Sequence, residues 1–326
     1  MNFRIFVTGS GLASAGTALL EQAGCTILQG APTDAISDII DKVSIFSPHA
    51  LIVRQGQITP EVMEACGDLR VICKHGTGVD NIDINGASDR GIPVLYTPDA
   101  TCESAAEHTL GLILALVRQI PRQDQKVRGG DFNKAGFSGQ ELLGKTLGLV
   151  GFGRIARRLC DLVEPFRMNV IAYHPSCTKE SLPGHVSKSI SVESIFSDSD
   201  FVSLHLPLTP ETHGMVNKNM LSTMKQSAYL INTARGPLVN EKDLVDALVN
   251  ETIKGAAIDT FEVEPPAADN PLYGFSNVVL TMHTAGNSDA SLINMATVAA
   301  SNVLAVLRNE FLDERMIVSR GASRTD

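Results

Sequence analysis

Three side chains in the C-terminal half have the types and spacing to move a proton beside an anionic group. His283 lies in Leu280-Thr281-Met282-His283-Thr284-Ala285-Gly286 and carries an imidazole, which titrates near neutral pH as a general acid/base must. Glu264, in Asp259-Thr260-Phe261-Glu262-Val263-Glu264-Pro265, has the charge to orient that ring. Arg235, in Asn232-Thr233-Ala234-Arg235-Gly236, presents a planar fork that matches a carboxylate. Such a set fits oxidation of an alcohol next to a carboxylate. A base takes the hydroxyl proton while a hydride leaves, and a fixed cation holds the carboxylate and polarises the C2 oxygen. Residue types alone do not settle which histidine acts: the chain has eight, and His205 also ends an apolar run.

A hydride needs an acceptor, and the sequence offers a place for one. The apolar run ending at Val150 leads into Gly151-Phe152-Gly153-Arg154-Ile155-Ala156, followed by a helical pattern. Gly151 allows a tight turn, Gly153 lets the backbone approach a pyrophosphate, and Ala156 lets helix and strand pack closely. The helix N-terminus adds free N–H groups and a positive dipole. The G-x-G-x-x-A pattern is weak alone; the strand before it, the helix after it and a second strand ending near 173 strengthen it. Asp259 is then expected to face the nicotinamide end of a dinucleotide.

These residues must be positioned by elements, and apolar runs alternate with helical patterns throughout. Expected strands span 4–8, 50–53, 71–74, 93–95, 147–150, 170–172, 201–204, 229–232, 256–259 and 278–280. They are short and apolar, as strands buried on both faces should be. Helical patterns at 16–23, 155–163 and 241–249 lie between them. The alternation implies α/β architecture with two doubly wound parallel-sheet domains. Two long, nearly uncharged helical stretches, 102–119 and 291–307, read as crossings between the domains. The expected division is a discontinuous outer domain, 1–102 with 291–326, and an inner dinucleotide-binding domain, 103–290.

Composition narrows the classes further. The 326 residues are 44% apolar, enough for two cores. The net charge is −9, with no basic stripe, so no nucleic-acid partner is expected. The N-terminus reads as a strand and not as a signal peptide, and the apolar run at 110–117 is too short to cross a membrane, so no membrane partner is expected. The six cysteines form no C-x-x-C pair, which points to reduced thiols in a cytoplasmic protein and to no metal site.

The motifs together resemble the D-2-hydroxyacid dehydrogenases, with the phosphoglycerate dehydrogenase branch closest. The resemblance rests on Asn232-Thr-Ala-Arg-Gly236, on Asp259 with Glu264-Pro265, on Leu206-Pro-Leu-Thr-Pro210, and on His283 with Gly286. In the outer domain it rests on Lys74-His-Gly-Thr-Gly-Val-Asp-Asn-Ile-Asp83 and on Glu103-x-x-Ala-Glu107-His108. It implies a Rossmann-type cofactor domain inserted in a flavodoxin-like substrate domain, Arg235, Glu264 and His283 as the catalytic set, and commonly a homodimer. The implied cofactor contacts are Thr77, Gly151, Gly153, Arg154, Ile155, His174, Leu206, Thr233, Ala234, Arg235, Asp259, His283 and Gly286. A small anionic 2-hydroxy or 2-oxo acid would meet Arg235 and the backbone N–H groups of Gly76, Thr77, Gly78 and Val79, an anion nest. Arg54 and Lys74 are expected to meet a second anionic group on it.

Two departures from the family pattern stand out. The family usually places Asp at the end of the second cofactor strand, where this chain has Tyr173-His174-Pro175. NAD is the expected cofactor and NADP the alternative, with Ser176, Thr178 and Lys179 near enough to solvate a 2′-phosphate. The chain also stops soon after its last helix, so a C-terminal regulatory domain is not expected. A dinucleotide-sensing corepressor or scaffold is the alternative to an enzyme. Formate oxidation, which resembling enzymes perform with an amide partner for the histidine, is disfavoured by Glu264.

Overall fold

The computed structural model describes residues 2–175, 178 and 182–321. Two compact units emerge, one made of Met1–Thr101 with Asn287–Asp326, the other of Cys102–Gly286. The chain changes unit at 101/102 and 286/287, against the expected 102/103 and 290/291.

The first unit opens with β1 (Arg4–Val7), α1 (Ser14–Gln22), β2 (Thr26–Gln29), α2 (Ile36–Phe46), β3 (Ala50–Val53), α3 (Pro60–Ala65), β4 (Val71–Lys74), α4 (Ile84–Asp89) and β5 (Val94–Leu95). The chain then builds the second unit. Its elements are α5 (Cys102–Arg118), α6 (Ile120–Arg128), β6 (Thr146–Val150), α7 (Arg154–Val163), β7 (Asn169–Tyr173), β8 (Val186–Lys188), α8 (Val192–Asp198) and β9 (Phe201–Leu204). They continue with α9 (Lys218–Thr223), β10 (Tyr229–Asn232), α10 (Glu241–Val249), β11 (Gly255–Ile258) and β12 (Val278–Leu280). It returns to the first unit with α11 (Asp289–Arg308) and β13 (Ile317–Ser319).

The second unit's sheet has the order β12-β11-β10-β9-β6-β7-β8, all parallel. The order reverses between β6 and β9, the place where ligands meet such sheets, beyond the strand C-termini. Both faces are covered. Leu147, Leu149, Phe201 and Ile231 pack with α5 and α7 on one side, and Val150, Val202, Leu204 and Leu230 pack with α8 and α10 on the other. Alternate residues of one strand thus serve opposite cores, which is why these strands read as continuous apolar runs.

In the first unit the order is β13-β5-β4-β3-β1-β2, and β2-β1-β3-β4-β5 is the flavodoxin-like arrangement. One core packs Ile5, Val7, Ile52 and Cys73 against α1 and α11, and the opposite core packs Phe6, Leu51, Val53 and Ile72 against α2 and α3. The sheet departs from the all-parallel expectation at β13, which pairs antiparallel with β5. Three strands are absent from the sequence reading, β2, β8 and β13, and each lies at a sheet edge. An edge strand is covered less completely and carries polar residues, as Thr26 and Gln29 do in β2, so it lacks the apolar run that marks its central neighbours.

Helix α11, with 20 residues, is long and apolar enough to cross a membrane by length and composition. Its Met295, Ala296, Ala299, Ala300, Val303 and Leu307 are instead buried in the first unit, against β-strands and α1. Burial pushes the Cys66, Cys73 and Cys160 thiols up to about 12. Cys177 lies outside the described residues.

The α1–α11 crossing allows a sharp test. A Cβ on Gly16 would lie 2.7 Å from the carbonyl oxygen of Ala296, in the backbone of α11. Gly16→Ala should gain up to about 1 kcal/mol of helix propensity but lose about 1–3 kcal/mol to overpacking. We expect net destabilisation, read as a lower urea midpoint with an unchanged m-value; a raised midpoint would show that the helices part freely.

Candidate active site

The dinucleotide cradle forms where β6 meets α7. Gly151 has φ +93°, and a Cβ there would lie 2.4 Å from the carbonyl oxygen of His205, so the turn closes only without a side chain. Leu206 lies against the same glycine. A Cβ on Gly153 would meet nothing within 4 Å, so the backbone there borders open space. Gly153 is the N-cap of α7 and makes no side-chain cap, leaving the first-turn N–H groups aimed outward, and Arg154 begins the helix. Ala156 is fully buried. A glycine turn, open space and an uncapped helix start fit a pyrophosphate. His174 follows the last residue of β7, as expected; Ser176 and Lys179 lie outside the described residues.

The Arg235 turn is built by Asn232 at the end of β10. The Asn232 side chain, almost fully buried, accepts from the Ala234 N–H at 3.0 Å and donates to the Arg235 carbonyl at 2.8 Å. The amide thereby holds three residues in one conformation. Gly236 then lets this turn seat on the next loop: a Cβ would lie 1.7 Å from the Phe261 carbonyl oxygen. The same Phe261 donates its N–H to Glu264 Oε1 at 3.0 Å, so the close approach places Arg235 beside Glu264.

Glu264 Oε2 lies 2.7 Å from His283 Nδ1. Burial alone would raise the Glu264 carboxyl, but the His283 hydrogen bond and charge, the Phe261 N–H and the Arg235 charge outweigh it and hold the group below its usual range. Glu264 therefore stays a carboxylate through neutral pH, where it aligns the ring and leaves Nε2 for substrate. His283 itself has φ +53°, a left-handed conformation that costs a non-glycine residue about 1–2 kcal/mol. Strain of this kind persists where the surroundings over-determine it.

Asp259 supplies that constraint. Its carboxylate is fully buried and accepts from the Thr281 hydroxyl at 2.6 Å, the Thr284 N–H at 2.9 Å and the Ala285 N–H at 2.9 Å. Its backbone carbonyl accepts from the His283 N–H at 2.7 Å. The side chain expected to face a nicotinamide is thus engaged in shaping the turn that bears His283 and ends at Gly286.

Geometry separates His205 from His283. His205 sits at the end of β9 with Nε2 2.9 Å from Ser203 Oγ, and burial of its ring lowers it to about 4. It is neutral at neutral pH and has no carboxylate partner among the described residues. His283 has one, beside an arginine.

In the first unit the 76–79 turn follows β4. Gly76 departs from the expected anion nest: its N–H donates to Thr97 Oγ1 at 2.9 Å. The N–H groups of Thr77, Gly78 and Val79 donate to no protein acceptor among the described residues. Arg54 and Lys74 are not free cations. Arg54 Nη1 donates to Ser10 O and Oγ at 2.8 and 2.6 Å and also bonds the Gly11 carbonyl; Lys74 Nζ donates to Asn81 Oδ1 at 2.8 Å.

All the second-unit residues of the expected site stand beyond the C-termini of one parallel sheet. Residues 151–155 follow β6, His174 β7, Leu206 β9, 233–235 β10, Asp259 and Glu264 β11, and His283 and Gly286 β12. Sequence reasoning missed Asn232 as a clamp, Gly236 as a contact and Thr281 as a partner of Asp259. Each was quoted within a motif, but only the fold reveals what it touches.

The chain is similar to known proteins. The sequence model described as "D-isomer specific 2-hydroxyacid dehydrogenase, NAD binding domain" matches residues 110–285. The chain is 38% identical over 283 residues to a D-3-phosphoglycerate dehydrogenase of Methanocaldococcus jannaschii, covering 85% of this chain and 52% of that one. It thus spans about half the length of the phosphoglycerate dehydrogenases it matches. It is 41% identical over 261 residues to a glyoxylate reductase of Thermofilum pendens, covering 78% of this chain and 76% of that one. A solved structure of an NADPH-dependent glyoxylate/hydroxypyruvate reductase from Sinorhizobium meliloti, in complex with NADP and malonate, superposes with a TM-score of 0.84 at 28% identity, covering 98% of each chain. With a family match over more than half its length and relatives this similar, the chain belongs to the D-isomer specific 2-hydroxyacid dehydrogenase family.

Proposed function

We propose that the protein interconverts a D-2-hydroxy acid and its 2-oxo acid with a nicotinamide dinucleotide. The observation that carries this reading is the 2.7 Å contact between His283 Nδ1 and Glu264 Oε2, with Arg235 close enough to act on the same carboxylate. The names of relatives support small substrates of the glyoxylate, hydroxypyruvate or 3-phosphoglycerate kind.

The dinucleotide would lie along residues 151–155, His174, Leu206 and 233–234, and when bound its nicotinamide supplies or accepts the hydride. Arg235 binds the substrate carboxylate with its fork and polarises the C2 oxygen. His283 Nε2 gives a proton to that oxygen in reduction and takes it back in oxidation. Glu264 orients the ring through Nδ1 and balances the charge it carries between those steps. The free N–H groups of Thr77, Gly78 and Val79 are proposed as a further grip on a substrate carboxylate.

The homodimer implied by the resemblance is kept in the proposal. It is supported by α6, which has no buried residue, and by the exposed Ile120, Val127, Phe132, Phe137 and Leu143. The buried thiols of Cys66, Cys73 and Cys160 agree with a reducing, cytoplasmic setting.

Two measurements test the chemistry. His283→Ala should lower kcat by roughly 10²–10⁴, the range of a lost acid/base. In Glu264→Gln the negative charge beside the ring is gone, so the proton that drives reduction is lost earlier as pH rises. The high-pH limb of 2-oxo acid reduction should therefore move to lower pH. Full turnover of His283→Ala across the pH range, or an unmoved limb in Glu264→Gln, would sink this mechanism.

Cofactor choice is tested separately. An Asp at 174 would repel a 2′-phosphate, and His174 brings no negative charge. We expect kcat/KM for NADH to exceed that for NADPH by less than about a hundredfold, since one repelling charge at a partly exposed site is worth about 1–3 kcal/mol. A preference of a thousandfold or more would show that another feature excludes the phosphate.

A further inference from the structure

Helix α5 is apolar after its first turn, yet polar groups near its start reach the loops of the catalytic site in the same unit. Ser104 Oγ donates to the Ala285 carbonyl at 2.9 Å, and Thr109 Oγ1 lies 3.0 Å from Thr233 Oγ1. Between them His108 Nε2 lies 3.2 Å from Thr281 Oγ1 and 3.6 Å from Asp259 Oδ1. Residues 104 and 108 share one helix face by their spacing of four. The start of α5 thus touches both the segment that leads to Arg235, through Thr109, and the segment that carries His283, through Ser104 and His108.

The direction of the His108 contact follows from counting protons. The Thr281 hydroxyl has one, and it goes to Asp259 Oδ1 at 2.6 Å. Thr281 Oγ1 must therefore accept from His108, whose Nε2 carries the proton. A hydroxyl that accepts from one side and donates to the other has a fixed rotor. Without His108 the hydroxyl can turn, and the fully buried Asp259 carboxylate loses a donor it has no water to replace.

We propose that His108 is a positioning residue for the acid/base histidine, acting through Thr281 and Asp259 to hold His283 in its left-handed turn. The proposal deepens the dehydrogenase reading and rests on it for its kinetic consequence. The chain of contacts is His108 Nε2–H to Thr281 Oγ1, Thr281 O–H to Asp259 Oδ1, and Asp259 back to the N–H groups of His283, Thr284 and Ala285. The polar contacts of the His108 ring go to Thr281 and Asp259, not to residues of the expected cradle. Its loss should act on the proton-transfer step and leave dinucleotide binding alone.

The test compares His108→Phe, which keeps a ring but has no donor, with His108→Gln, whose amide can donate from nearly the same place. For the full-length chain, kcat for glyoxylate and hydroxypyruvate reduction, KM for NADH, and hydrogen–deuterium exchange of residues 281–286 are measured. His108→Phe should lower kcat about three- to tenfold, the worth of one hydrogen bond, keep KM for NADH within about twofold, and speed exchange at Thr284 and Ala285. His108→Gln should recover most of both. Unchanged kcat and exchange in His108→Phe would overturn the proposal, as would equal damage in both variants, which would mean packing alone. If the wild-type chain reduces neither substrate, the dehydrogenase reading fails separately, and the exchange rates alone decide whether His108 holds the turn.

Discussion

A single carboxylate, shut away from water, governs the geometry of the turn that bears His283. Asp259 is fully buried at the end of β11, and an isolated carboxylate there would cost several kcal/mol. It is compensated by a hydroxyl and two backbone N–H groups, all from the five residues after β12. Because those donors lie on both sides of His283, satisfying Asp259 and setting the backbone of His283 are one requirement. The left-handed conformation of His283 is otherwise unfavourable, and it turns the ring toward Glu264.

The second constraint is the closeness of backbones at two glycines. At Gly151 the cradle turn lies against the His205 carbonyl, and at Gly236 the arginine turn lies against the Phe261 carbonyl. In both places the space for a Cβ is already filled by main chain. These contacts convert loops from neighbouring strands into one surface beyond the sheet, where the glycine turn, a guanidinium and an imidazole each take a defined place. The parallel sheet makes this possible because all of its strands point the same way, so every loop that follows a strand arrives at the same edge.

Most of the fold was legible because burial on both faces leaves a strong mark. β3, β4, β9 and β10 are short apolar runs with every residue buried or nearly so, and no other element explains such runs between helical patterns. β2, β8 and β13 were illegible for the converse reason: an edge strand keeps polar residues, and its pairing depends on a neighbour far away in sequence. The direction of β13 had no sequence signal at all, since antiparallel pairing with β5 follows from where α11 delivers the chain. In the same way, the composition of α11 cannot distinguish a core helix from a membrane-crossing one; its burial against β-strands and α1 does.

For the site, the sequence by itself determined the chemical inventory: the glycine turn before α7, and Arg235, Glu264 and His283 in motifs that follow strands. Those are local facts, because a turn, a helix start and a side-chain type are properties of a few adjacent residues. Only the tertiary structure decided how the inventory is used. It paired His283 rather than His205 with a carboxylate, took the Gly76 amide away from the expected nest, and tied Arg54 to the loop after β1 and Lys74 to Asn81. It also turned Asp259 into the holder of its neighbours. Hydrogen-bond partners separated by tens of residues depend on distances that the fold alone sets, and a donor or acceptor once engaged is lost to any ligand.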